Sequence, residues 1–231
     1  GKNYDRAKDA LDQVADYVYD EGIEVVVFSG DVFDKGNIAD RYKSVGDLQL
    51  LFSKAIESMK KVYVLEGNHD QTSGASALEF VRGYENVDLI SQVCSKHYKG
   101  VDFLFIPWVK EMSEMTRHYV RENINMFPKT DNPRLLFGHL NIVGSKVGEY
   151  VVSDDSGHSF TKNELAKVGS DIMSFGHIHK RDDFYCGALF QNSFGEEGNP
   201  QGFEVFDSVS MEDSYVKIDV PKFKTFSSIH E

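Results

Sequence analysis

The sequence predicts an α/β fold in which two sheets pack face to face with helices outside. Three observations predict it. Helical periods alternate with short β-branched runs over residues 4–65, and such alternation implies parallel strands joined by helical crossovers. Residues 94–108 read instead as a hairpin. After residue 182 the chain breaks into short strand-like pieces and turns, so antiparallel strands follow the parallel units.

Residues 4–20 place Ala7, Leu11, Val14, Ala15 and Val18 at helical spacing, with Gly22 just past the end as a C-cap. Ile23-Glu24-Val25-Val26-Val27-Phe28 is too short for a helix and apolar enough for a strand covered on both faces. Helical spacing returns over 41–59 through Val45, Leu48, Leu51, Phe52, Ala55 and Ile56, and Val62–Leu65 is the next strand. The hairpin CSKHYKGVDFLFIPW (94–108) turns at Lys99-Gly100, and 111–125 read as a helix. Arg134–Phe137 and Asp171–Phe175 are two more strands. DDFYCGALF (182–190), GFEVFD (202–207) and SYVKIDV (214–220) are the late strands. No repeat, low-complexity tract or linker divides the chain, so residues 1–231 read as one domain.

A 41% hydrophobic, 13% aromatic chain of 231 residues can bury a sizeable core. No apolar run is long enough to span a membrane, and GKNYDRAKDALDQ has no apolar signal-peptide core. Cys94 and Cys186 lack metal-type spacing and read as reduced thiols of a cytoplasmic protein. A formal charge of −12, from 25 basic and 37 acidic residues, argues against a broad basic nucleic-acid face. Any DNA contact must be local or assisted by a partner.

Four segments end alike: VVVFSGDVFD (25–34), VYVLEGNHD (62–70), LLFGHL (135–140) and IMSFGHIH (172–179). Each is an apolar strand, then a glycine, then a residue able to bind metal. Carboxyl ends of parallel strands form the rim where ligands bind. Asp31, Asn68, His139, His177 and His179 are therefore expected to converge. One Gly-Asp or Gly-His is usually an ordinary turn; four at successive strand ends are not explained as turns.

The ordered set Gly-Asp-x-x-Asp, Gly-Asn-His-Asp, Gly-His and Gly-His-x-His resembles the calcineurin-like metallophosphoesterases. Ile106-Pro107-Trp108 before a helix, Lys180 after the last motif and FGEEGNPQGFEVFD (194–207) are similar to SbcD-type nuclease subunits of DNA repair and recombination, bacteriophage members especially. The resemblance implies a four-layer fold, two helix–sheet pairs back to back, and a dinuclear centre for phosphodiester hydrolysis. Two divalent ions about 3.5–4 Å apart clamp the phosphate and make hydroxide near neutral pH. Oxygen and imidazole ligands suit Mn²⁺, with Mg²⁺, Fe²⁺ or Zn²⁺ as weaker candidates.

By that resemblance Asp31 bridges both ions, Asn68, His139 and His177 complete one site, and His179 serves the other. His69 stabilises or protonates the leaving oxygen, and Asp70 orients its imidazole. Asp34, three residues beyond Asp31, is read as standing behind the ligands, against an alternative as a solvated loop acid. Lys35, Arg41, Lys146, Lys180 and Arg181 follow strand ends and are candidate DNA contacts, against a bland reading as solvated loop cations. His97, His118, His158 and His230 lie outside the strand-end motifs and read as ordinary surface or partly buried side chains.

The implied partners are DNA and an SbcC-type ATPase, in a complex containing a homodimer of the nuclease subunit. The family normally opens with Asp-x-His on a first strand, and this sequence begins with Gly1-Lys2-Asn3, similar to residues just after that motif. The expectation is that the first strand and a C-terminal capping and ATPase-binding region lie outside these 231 residues. Three functions remain open at this stage: a DNA exo/endonuclease subunit, a phosphoprotein or small-molecule phosphatase, and a metal-degenerate scaffold that binds without catalysis.

Overall fold

The computed structural model describes residues 2–33, 42–71, 76–109, 114–127, 129–148, 150–153 and 159–225. Helix α1 (Lys2–Asp20) leads to β1 (Val26–Phe28), and α2 (Tyr42–Glu57) to β2 (Val62–Leu65) and β3 (Val87–Ile90). These strands form a parallel sheet in the order β1-β2-β3. Next come β4 (Cys94–Tyr98), β5 (Val101–Ile106), α3 (Glu114–Asn125) and β6 (Arg134–His139). The short strands β7 (Asn141–Ile142), β8 (Lys146–Val147), β9 (Tyr150–Val151) and β10 (Ser159–Phe160) precede α4 (Lys162–Ala166) and β11 (Ile172–Gly176). The second sheet has the order β11-β6-β5-β4, antiparallel only between β4 and β5. An antiparallel hairpin of β12 (Gly202–Asp207) and β13 (Glu212–Lys217) follows.

Strand alternation builds the layers. Val62 and Val64 of β2 face Ala10, Val14 and Val18 of α1 and Phe52 and Ile56 of α2. Tyr63 and Leu65, on the opposite face, meet Phe103, Phe105 and Leu135 of the second sheet. That sheet's outer face, Leu104, Ile106 and Leu136, is covered by Val120 and Ile124 of α3 and Leu165 of α4. The two-sheet sandwich with helices outside is the architecture the sequence predicts. Each fully buried large side chain contributes about 1.5–3 kcal/mol, so the three clusters hold the strand ends rigidly.

The hairpin turns where expected, with Lys99 at φ 47° and Gly100 at φ 79°. One reading is corrected. DDFYCGALF is not a strand: only Tyr185 bridges to Phe175. Asp182 Oδ1 accepts the N–H groups of Phe184 and Tyr185 at 2.8 and 3.0 Å, which curls the segment into a turn before a ladder can form. β3 is a strand that the periodicity above does not assign, and Asp88 sits within it. The structure pairs that carboxylate with Lys61 and Lys96, each at 3.2 Å.

A cleft of about 1850 Å³ runs from α1 past Val25–Phe28 to β12, and its walls include His69, His179 and Glu204. Beside it Val26, Val27 and Phe28 stay half-buried, while all four residues of β2 next to them are buried.

Candidate metal centre

The strand ends meet because glycines allow it. A Cβ on Gly67 would lie 2.2 Å from Asp31 Oδ1, and one on Gly176 would lie 2.1 Å from the Ser29 carbonyl oxygen. Any larger residue would push β2 or β11 away from the loop after β1. The glycines thus serve approach of one strand end to another. The four ends come from two sheets, β1 and β2 from the first and β6 and β11 from the second.

Asp31, His139 and His177 each offer a ligand atom within 4.8 Å of the others. Asn68 joins them, its Oδ1 lying 2.9 Å from His139 Nε2 and 3.0 Å from His177 Nδ1. His139 Nδ1 faces the Ser29 carbonyl at 2.7 Å. That oxygen only accepts, so in the neutral ring Nδ1 carries the proton and Nε2 presents a lone pair. The lone pair faces Asn68 Oδ1 and, at 3.3 Å, Asp31 Oδ2. With the amide oxygen inward and His177 in the tautomer protonated at Nε2, acceptors converge with no proton between them, and that donor set fits a divalent cation.

Protonation favours the same use. Burial, helped by neighbouring His139, pushes the His177 imidazole down to about 4, so it is neutral at pH 7. Burial opposes ionisation of Asp31, but His139, whenever its ring is protonated at both nitrogens, and the His69 backbone N–H outweigh it and hold the carboxyl below its usual range. Asp31 and His177 also adopt left-handed backbone, at φ 54° and 88°, where non-glycine residues are strained.

Asp70 is fully buried. It accepts N–H groups from Asp31 (2.8 Å), Phe33 (3.1 Å) and Gly67 (2.9 Å). Its oxygens bind the main chain of two ligand loops. Half-buried His69 donates its backbone N–H to Asp31 Oδ1 at 2.8 Å and lines the cleft.

His179 stands apart from the Asp31–His139–His177 cluster, its Nδ1 2.9 Å from Glu196 Oε1. Glu196 and Trp108 are the residues whose contacts sequence reasoning missed. Both sit in stretches it had noted, 194–207 and Ile106-Pro107-Trp108, but nothing local says what they touch.

The candidate DNA contacts divide. Lys146 and Lys180 are exposed. Arg181 is committed elsewhere, 3.5 Å from Glu204 and stacked over Tyr215 at 4.5 Å. Asp34, Lys35 and Arg41, with His158 and His230, lie outside the described residues. His97 pairs with Asp102 at 2.6 Å, and His118 is exposed. Cys94 and Cys186 are free thiols, both pushed up by burial, the latter to about 12. Among the described residues no helix is long and apolar enough to cross a membrane.

Comparison with known proteins agrees with this geometry. The chain is 25% identical over 171 residues to an uncharacterized metallophosphoesterase, YhaO, of Bacillus subtilis, covering 70% of this chain and 38% of that one. It is 23% identical over 209 residues to exonuclease subunit 1 of Enterobacteria phage T4, covering 87% of this chain and 58% of that one. The chain thus spans well under two thirds of both curated relatives. A crystal structure 12% identical in sequence superposes with a TM-score of 0.61, over 91% of this chain and 94% of the other, a likeness of fold alone. The model of the calcineurin-like phosphoesterases matches residues 1–181, which contain all four strand-end motifs, and the chain belongs to that family of hydrolytic phosphoesterases.

Proposed function

We propose that this chain is the core of a metal-dependent DNA exo/endonuclease subunit that hydrolyses phosphodiester bonds in double-strand-break repair or recombination. The observation that carries the reading is the similarity to the phage exonuclease subunit, whose 87% coverage is more than residues 1–181 can supply. It therefore reaches into the late stretch that shares features with nucleases, beyond the motifs common to the whole family. The site's chemistry supports phosphoester hydrolysis generally.

Bound divalent ions would supply charge to the non-bridging oxygens and lower the pKa of an attacking water. Asp31, Asn68, His139 and His177 would hold one ion, with Asp31 shared and His179 on the second. Mn²⁺ suits this mixed oxygen and imidazole set, with Mg²⁺ as the alternative. His69 would place its imidazole at the leaving oxygen and give it a proton. Exposed Lys146 and Lys180 would meet DNA phosphates in a complex with a second nuclease chain, and an SbcC-type ATPase would offset the −12 charge that each nuclease chain carries.

An Asp-x-His strand of the kind the family normally carries would fit the cleft beside β1. In the described sheet β1 pairs only with β2, and its three residues remain half-buried. A strand there would pair with the open edge of β1 and bring two ligands beside Asp31. The test is cleavage by a longer protein that carries such a strand, with Mn²⁺. DNA ends should be degraded and single-stranded DNA nicked, faster with ATPase and ATP. Phosphate release from phosphopeptides without DNA cleavage would move the assignment to the phosphatases.

A further inference from the structure

Trp108 is the single tryptophan of the chain, and it sits where three strand ends meet. Its indole lies against the His177 imidazole, centroids 5.0 Å apart and planes at 34°. It meets His139 edge-on, at 6.1 Å and 79°. Its main chain is pinned to both ends of the Asn68–His69 loop. Trp108 N–H donates to the Glu66 carbonyl at 2.8 Å, just before Gly67. The Trp108 carbonyl accepts Gln71 Nε2 at 2.9 Å, just after Asp70.

His177 needs such support. Its backbone is in the left-handed region, at φ 88°, where non-glycine residues are strained. Its ring torsion is intrinsically broad, since imidazoles rotate about an sp³–sp² bond. Asn68 Oδ1 faces one ring nitrogen at 3.0 Å, and the indole packs against the ring. The residue that limits rotation of His177 is thus the one bracketing the loop that carries Asn68.

We propose that Trp108 is a positioning residue of the metal centre: it clamps the His177 imidazole and fixes the Asn68 loop relative to it, so that both present their donors to one point. The role rests on the metal-centre reading and is independent of whether DNA is the substrate. It also makes the lone tryptophan a reporter, because the indole lies against His177, a residue that would hold the ion.

The test is an Mn²⁺ titration of the full chain, following tryptophan emission and, by electron paramagnetic resonance, unbound Mn²⁺. Emission should be quenched in step with binding. Trp108→Phe keeps a flat ring and should bind Mn²⁺ like the parent. Trp108→Ala should weaken binding about 10–100-fold, the range for losing a group that orients a ligand, with unchanged circular dichroism. Binding by the parent without any change in emission overturns the role of Trp108 alone, as does parental affinity in Trp108→Ala. No uptake of Mn²⁺ by the parent overturns the metal centre and this role together. If Trp108→Ala does not fold, parental emission and the affinity of Trp108→Phe decide: quenching with affinity retained supports the clamp, and affinity lost in the phenylalanine variant refutes it.

Discussion

Asp31 and Asp70 hold each other's loops. Asp70 Oδ2 accepts the backbone N–H of Asp31 at 2.8 Å, and Asp31 Oδ1 accepts the backbone N–H of His69, next to Asp70, at 2.8 Å. The loop after β1 and the loop after β2 are therefore one unit, and neither sets its ligand without the other. The carboxylate that ends the Gly-Asn-His-Asp motif acts first on architecture.

A stability prediction follows from that geometry. Asp70→Asn replaces one accepting oxygen with an NH₂ that must face the N–H of Phe33, or those of Asp31 and Gly67. Donors facing donors in a fully buried site should cost about 1–3 kcal/mol. Urea denaturation should show the loss. Parental stability in this variant would mean that the three hydrogen bonds do not hold the loops.

The strand ends were legible in the sequence because each couples an apolar run to a glycine and a ligand, a signal contained within about ten residues at each site. The helices were legible from their periods. What was not legible depends on contacts between distant segments. Asp88 joins its strand held between Lys61 and Lys96, a pairing that only the fold assembles. Asp182 curls 182–190 through its own side chain, a local competition with the ladder that aromatic content obscures. Glu196 lies 17 residues beyond His179 in sequence, and only the fold brings them together.

That pair gives a second prediction. A carboxylate only accepts, so Glu196 Oε1 fixes the proton of neutral His179 on Nδ1, 2.9 Å away, and leaves Nε2 with its lone pair. Glu196→Ala should let the ring sample both tautomers, visible in nitrogen-15 spectra of the histidines. Glu196→Gln, whose amide oxygen still accepts, should keep the parental tautomer. An alanine variant with an unchanged His179 signal would show that the pair does not orient the ring.

Glu24 gives a pH dependence. Hydrogen bonds from Lys60 and Lys99, both 2.6 Å away, hold its carboxyl down to about 2, against a usual 4.5. A depressed folded-state pKa contributes stability that is complete above the unfolded value and lost as pH falls through the folded one. The contribution should therefore be present above about pH 4.5 and disappear toward about pH 2. The pair is exposed, so the effect is small and screened by salt. Glu24→Gln should lose a little stability at neutral pH and show a flatter acid limb in low salt. A parent and variant with parallel limbs would contradict the assignment.

The last prediction separates binding from chemistry within Gly67-Asn68-His69-Asp70. Asn68 Oδ1 lies within 3.0 Å of nitrogens of both His139 and His177, and the His69 backbone N–H donates to Asp31 Oδ1. A side-chain change at His69 leaves that N–H in place. Asn68→Ala should therefore weaken metal uptake, because it removes an oxygen from a site with few other donors. His69→Ala should keep metal and DNA affinity near parental in the longer protein with Asp-x-His. Its cleavage rate should fall about 10²–10⁴-fold, the usual cost of losing a general acid. Metal analysis, DNA binding and single-turnover cleavage on both variants make the comparison. Should His69→Ala cleave DNA at the parental rate, His69 contributes its backbone alone and the leaving oxygen takes its proton from elsewhere.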